Sequence, residues 1–395
     1  MENLSTTYKL CKNELILPGF IDCHIHAPQY INAGCGLDLE LLEWLNKYTF
    51  PAESKFSSYD HANKIYNTVV SRTLSFGTTT ACYFATIHNE SSILLGKICD
   101  KLGQRAFIGK ISMDRNSPEY YIEKTKNAIE NEKDFLEKMK TLMEKNEKVL
   151  PAITPRFAIS CTPELMKELG NIGKREKNIL IQTHLAENEK EIIFVTKLHP
   201  ESESYTHIYN DFNLLTNRTI LAHCIHMTEE EINLIKEKDA SLAHCPDSNF
   251  NLLSGNCDVR YYLEKGIKVG LGTDVSGGHT PSLLSTMRSA LICSKVIYFE
   301  KRKNDKNTKY KPLTVPEVFY LATEGGARAL RIDNKVGNFE VGKEFDGLFI
   351  DLNRGSVDYF GNESTLDLLN KIIYLADDRN ITKVFVKGKI VKNLE

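Results

Sequence analysis

Nowhere does the chain approach the roughly 20 consecutive apolar residues that a membrane-spanning helix needs. Its first residues, MENLSTTYKLCKNELILPGF, lack a charged start followed by an apolar core, so no secretion leader is expected. Excess charge is missing too. Lys and Arg number 50 against 52 Asp and Glu, a formal net charge of -2, which gives nucleic acid or an anionic membrane no electrostatic hold. No internal repeat and no Pro/Gly/Ser linker interrupts the 395 residues. None of the ten cysteines forms a Cys-x-x-Cys pair, and several lie inside apolar runs such as TTTACYF and LAHC. Reduced, mostly buried thiols in a cytoplasmic protein are therefore expected, in place of a disulfide framework. Cys23, immediately before His24, is the thiol nearest to any chemistry.

What is present is a composition of 42% hydrophobic and 26% charged residues, ordinary for a globular protein with a sizeable core. Short apolar runs alternate with longer stretches of helical period. The runs at 20–25, 79–84, 106–111, 149–153, 179–183, 219–222, 240–243 and 268–272 read as strands, and 122–147 as a helix. Eight strands, each followed by helical sequence, over about 250 residues suit a (β/α)8 barrel of the α/β class. After Gly337 the pattern changes: GNFEVGKEFDGLFIDL and ITKVFVKGKIVKN alternate apolar with polar residues around glycine turns. The expected architecture is a TIM-like barrel at 18–336. Beside it, 1–17 and 337–395 would form a small β-sandwich domain, with 7–17 adding a strand.

His24-Ile25-His26 closes the first strand, and two side chains two apart on a strand share a face. His184 ends the fifth strand, His223 the sixth and Asp274 the eighth. All of these fall on the C-terminal rim, where barrels of this kind build active sites. A lone histidine at a strand end is ordinarily a hydrogen-bonding group, but a joint set from four strands points to a metal. Three imidazoles and one carboxylate around an open position suit Zn2+ acting on water, with iron(II) as the alternative. Glu187, three residues after His184, is placed to carry a proton, although a bare glutamate there reads first as an exposed salt-bridging residue. His61, His88, His199, His207, His226 and His279 read as structural, and His244 as ordering the seventh rim loop. No lysine lies in VLPAITPRF, which argues for a single metal; Lys110 is the one nearby amine.

The segments PGFIDCHIH, THLAE, LAHC, AHCPDSN and GLGTD resemble, in order, the motif set of the amidohydrolase superfamily. HAPQYINAGCGLDLELLEWLNKYTFPAE, ITPRFAIS and GLGTDVSGG are similar to its guanine-deaminating members. The resemblance implies one Zn2+ per chain held by His24, His26, His184 and Asp274, with His223 hydrogen-bonding the attacking hydroxide or, as the alternative, ligating the metal. It further implies that Gln29 holds the purine ring, Arg156 meets its carbonyl oxygen and Phe157 lines the pocket. Glu187 and Asp274 would move the protons and, with His184, touch the substrate. The implied product is xanthine, in purine catabolism, and the implied assembly a homodimer. Family members ordinarily carry several dozen residues before the PGFID segment, where this sequence has about seventeen, so a shortened β domain is expected.

Two other readings fit parts of the sequence. A related mononuclear deaminase would act on adenosine, cytosine or a triazine; Arg156 with Gln29 argues for a substrate with a ring carbonyl, which adenosine lacks. A scaffold protein that retained the fold and lost the chemistry is disfavoured by His24, His26, His184, Glu187 and Asp274 all being present.

Overall fold

A computed structural model describes residues 7–144, 147–176 and 178–394. The chain enters through β1 (Glu14–Pro18) and, after Gly19, continues straight into β2 (Phe20–His26). Then follow β3 (Thr78–Phe84), β4 (Arg105–Ser112), β5 (Val149–Pro155), β6 (Leu180–Leu185), β7 (Thr219–His223), β8 (Ser241–His244) and β9 (Lys268–Leu271). Strands β2 to β9 form one sheet in sequence order, every neighbouring pair parallel. Parallel strands covered by helices are buried on both faces, and β2, β3 and β4 are buried throughout, which is why they read as unbroken apolar runs.

The sheet curls until its ends meet. Asp274 N donates to the His24 carbonyl at 2.9 Å and His26 N to that of Val275 at 3.1 Å, joining the segment after β9 to β2. Two glycines make this approach feasible. A Cβ on Gly270 would lie 2.4 Å from the Cys23 sulfur, and one on Gly272 would lie 2.8 Å from the His24 Cβ. The TIM-like barrel expected from the strand pattern is the fold observed.

The last strands, β10 (Gly347–Asp351), β11 (Ile381–Val386) and β12 (Lys389–Asn393), join β1 in a separate antiparallel sheet of order β1-β10-β11-β12. Among the described residues this is one four-stranded layer. It is tied to the barrel by buried Arg105, whose guanidinium donates to Glu344 at 2.6 Å and to Asp346 at 3.3 Å. The tail departs from its alternating pattern in two places. The segment 337–346 forms turns around Gly337 and Gly342, both at positive φ, so the strand begins only at Gly347. A helix at Thr365–Leu375 follows the Ser364/Asp367 capping box. The expected N-terminal strand forms at Glu14–Pro18 alone, and the helix read at 122–147 runs over Thr125–Met143. Residues 1–6 and 395 of the expected small domain lie outside the described residues. All ten cysteines are free, Cys11 and Cys35 being exposed and the others buried.

Candidate metal centre and purine pocket

His24 and His26 leave β2 on one face, as their spacing predicts, and meet His184 from the end of β6, His223 from β7 and Asp274 beyond β9. The His24 Nε2 lies 3.1 Å from Asp274 Oδ1, and the His26 Nε2 lies 3.5 Å from the same oxygen and 3.1 Å from His184 Nε2. His223 Nε2 stands 3.7 Å from Asp274 Oδ2. Donor atoms of a tetrahedral site with bonds near 2.05 Å are about 3.3 Å apart, so these separations fit a single ion. The donor atoms of His24, His184, His223 and Asp274 all lie within 4.8 Å of one another. His26, expected as a ligand, stands beside that group, and His223, expected to contact the hydroxide, stands within it.

The ring orientations are fixed from behind. His24 Nδ1 pairs with Gln182 Oε1 at 2.7 Å, His184 Nδ1 donates to the Arg156 carbonyl at 2.7 Å, and His223 Nδ1 pairs with Asn249 Oδ1 at 2.8 Å. Each contact puts the proton on Nδ1 and turns the Nε2 lone pair toward the cluster. The buried Nε2 atoms of His24 and His223 have no hydrogen-bond partner, the deficit a cation would fill. Burial keeps His26 and His184 well below the ordinary imidazole range and lowers His223 to about 4, so the rings are neutral and able to ligate. Burial opposes ionisation of Asp274, but the surrounding rings, His24 foremost, outweigh it and hold the carboxyl below its ordinary range.

Backbone geometry marks the same rim. Ala186, His223, Cys224 and Asp274 all have positive φ, from 46 to 73°. Such conformations cost about 1–3 kcal/mol each in non-glycine residues and persist where surrounding structure enforces them.

Glu187 is buried beside the cluster, its Oε2 3.4 Å from His223 Nε2 and its Oε1 accepting from Ser254 Oγ at 3.4 Å. Its main-chain N–H donates to Glu191 Oε2 at 2.8 Å within the cap of the following helix, Glu189–Leu198. Burial first, then the negative charges of Asp274 and Glu191, push the Glu187 carboxyl well above its ordinary range. Its carboxyl is thus biased toward the protonated form, and because it is buried the surface salt-bridge alternative does not describe it.

The pocket is lined by His26, Gln29, Trp44, Arg156, Phe157 and Leu252 together with His184, Glu187, His223 and Asp274, around about 380 Å3 of space including its open mouth. Gln29 sits in the turn Ala27–Asn32 just past β2, and Arg156 and Phe157 just past β5. Arg156 is 3% exposed and its guanidinium lies 5.1 Å from the Phe50 ring centroid. Lys110 is directed elsewhere, its amine 2.6 Å from Glu123 Oε2. His244 is buried with neither ring nitrogen partnered, so no hydrogen bond supports its expected loop-ordering role.

A model of the amidohydrolase family matches residues 15–391. The chain belongs to the amidohydrolase family. It is 51% identical to the guanine deaminase of Dictyostelium discoideum over 96% of this chain and 83% of that one. The solved guanine deaminase of C. acetobutylicum, with guanine bound in its active site, is 42% identical with a TM-score of 0.90, over 95% of this chain and 87% of that one. A zinc-bound adenosine deaminase from Xanthomonas campestris, 22% identical with a TM-score of 0.83 over 96% of this chain and 81% of that one, shares the fold.

Several features of this amidohydrolase site were not legible beforehand. Gln182 and Asn249 act only through the histidines they orient. Phe84 stacks on His26 with centroids 4.7 Å apart. Trp44 was visible only as part of a motif, because among Leu41, Leu42 and Leu45 it reads as one more core residue. Glu53, fully buried against Gln29 and Arg156, had no sequence signal of its own.

Proposed function

We propose that this chain hydrolyses guanine to xanthine and ammonia. One observation carries the reading. A proton-bearing Glu187 and a metal-competent cluster share a pocket with a polar wall, Gln29 and Arg156, suited to a ring carbonyl. The guanine deaminase of Dictyostelium discoideum and the guanine-bound enzyme of C. acetobutylicum agree with it.

In the mechanism, Arg156 offers guanidinium N–H donors to the ring oxygen while Gln29 offers an amide edge to the ring. Phe157 and Trp44 close the faces of the planar base and limit bulk water. Asp274 takes a proton from the attacking water as its oxygen bonds to the ring carbon bearing the amine. Glu187 gives its proton to the adjacent ring nitrogen, and His223 directs the attacking oxygen. The C–N bond then breaks as Asp274 passes the proton it took from water to the amine and Glu187 takes back the hydroxyl proton, releasing ammonia and leaving a carbonyl at that carbon. A metal held by His24, His26, His184 and Asp274, with His223 alongside, supplies the Lewis acidity that makes water nucleophilic near neutral pH. We read that metal as zinc, one ion per chain; the nitrogen-rich donor set and the zinc-bound relative support this.

The finer setting belongs to the same proposal. Residues 18–336 form the hydrolase unit and 1–17 with 337–395 the small β unit, supported by two sheets that share no strand. Ten free thiols suit the cytoplasm, and no described helix is long and apolar enough to cross a membrane. Resemblance supports a homodimer in purine catabolism. Initial rates with guanine, adenine, adenosine and cytosine test the substrate; ammonia from guanine alone is expected, and none from guanine refutes it.

A further inference from the structure

Glu53 lies in the short helix Phe50–Ser54, at the end of the motif segment that contains Gln29 and 103 residues from Arg156. It is 0% exposed and stands behind the residues that line the pocket. Its two oxygens instead receive three hydrogen bonds from the residues that do. Arg156 Nη1 donates to Oε2 at 2.6 Å, Arg156 Nη2 to Oε1 at 3.2 Å, and Gln29 Nε2 to Oε1 at 2.8 Å. The far side of the Gln29 amide is pinned as well, because its Oε1 accepts from Ser276 N at 3.1 Å. Glu53 and Ser276 thereby fix which end of that amide is oxygen and which is nitrogen.

We propose that Glu53 is the positioning residue that gives the pocket its specificity for a neutral purine carrying a ring carbonyl. The proposal rests on the guanine reading above. A guanidinium has five N–H groups in a rigid fork. Two are directed at Glu53, which sets the plane of the fork and leaves three for the ligand. Of the Gln29 amide, one N–H and one lone pair stay free, in a fixed orientation. The carboxylate also neutralises Arg156. Without it, a buried guanidinium would face the ligand with an uncompensated charge and would favour an anion. The product, with two ring carbonyls, loses a ring proton more readily than guanine does. Glu53 therefore disfavours the anionic product relative to the neutral substrate.

The experiment uses zinc-loaded full-length protein and the variants Glu53→Gln and Glu53→Asp. Glu53→Gln keeps the shape but sets an amide N–H2 against the guanidinium. The expected result is a KM for guanine raised about 10- to 100-fold, the scale of losing hydrogen bonds to a charged group, with kcat changed by less than about threefold. Inhibition by xanthine should strengthen relative to the wild type, and more so as pH rises and xanthine ionises. In an Arg156→Gln background the effect of Glu53→Gln on KM should shrink, because only the hold of Glu53 on Gln29 then remains. A merely structural role would lower the amount of active, metal-loaded enzyme and leave KM and the xanthine pH profile unmoved. If Glu53→Gln does not accumulate folded, Glu53→Asp, which withdraws the charge by one methylene, carries the test and should still raise KM. A wild-type KM in either folded variant overturns the proposal. A wild-type protein that releases no ammonia from guanine overturns the substrate reading instead.

Discussion

Replacing Glu187 by glutamine removes a transferable proton and little else. The side chain is buried and anchored by main-chain contact with Glu191, so the amide should occupy the same place. Because burial and neighbouring charge already favour the neutral carboxyl, the substitution trades one uncharged group for another, and thermal stability should change little. Catalysis should not survive so well. A positioned acid-base group is worth about 10²- to 10⁴-fold, or about 3–5 kcal/mol of barrier. The assay is guanine consumption followed by absorbance, with metal content measured on the same preparation. The expected result is wild-type metal content and a kcat lowered by at least two decades. A variant with full metal and nearly full kcat would refute the assignment of Glu187 as proton carrier.

Three further outcomes follow from contacts around the site. Arg156→Ala should weaken guanine binding and also destabilise the fold by about 3–5 kcal/mol in urea unfolding, since it strands buried Glu53; Arg156→Ala with Glu53→Ala should recover part of the stability alone. Gln182→Leu, which frees His24 Nδ1, should reduce metal affinity about 10- to 100-fold in competition with a chelating dye, while kcat at saturating metal changes less. Away from the site, burial raises the Glu132 carboxyl from 4.5 to about 7, against the opposing pull of Lys110 and Ser112. The folded state thus binds the proton more tightly, so this group's contribution is full below about pH 4.5 and is lost as pH rises toward 7. The loss is about 3 kcal/mol, and Glu132→Gln should remove that slope from stability measured against pH.

The barrel was legible because its strands are buried on both faces and therefore stand out as apolar runs between helical stretches. The metal cluster was legible for a related reason. A polar residue closing an apolar run lies on the rim, and His24 and His26 share a face through the strand's period of two. The pocket's polar wall was less so. Gln29 and Arg156 drew notice only through family likeness, and Glu53 lies 24 and 103 residues from its two partners. In sequence it is a helical glutamate two residues from Lys55, which reads as a solvated face. The orienting contacts of Gln182 and Asn249 were hidden likewise, since an amide inside a strand or helix carries no mark of the ring it holds. The tail's extended pattern overreached at 337–346, where positive-φ glycines turn the chain before any partner strand is reached.

The central claim is that a metal held at the rim of this barrel enables hydrolysis of guanine. Ammonia and xanthine released from guanine should be measured on one preparation as purified, after chelation, and after addition of Zn2+. The account predicts equal amounts of the two products, loss of both on chelation and their return with zinc. Metal-loaded protein that releases no ammonia from guanine, or turnover undiminished once the metal is gone, would contradict it.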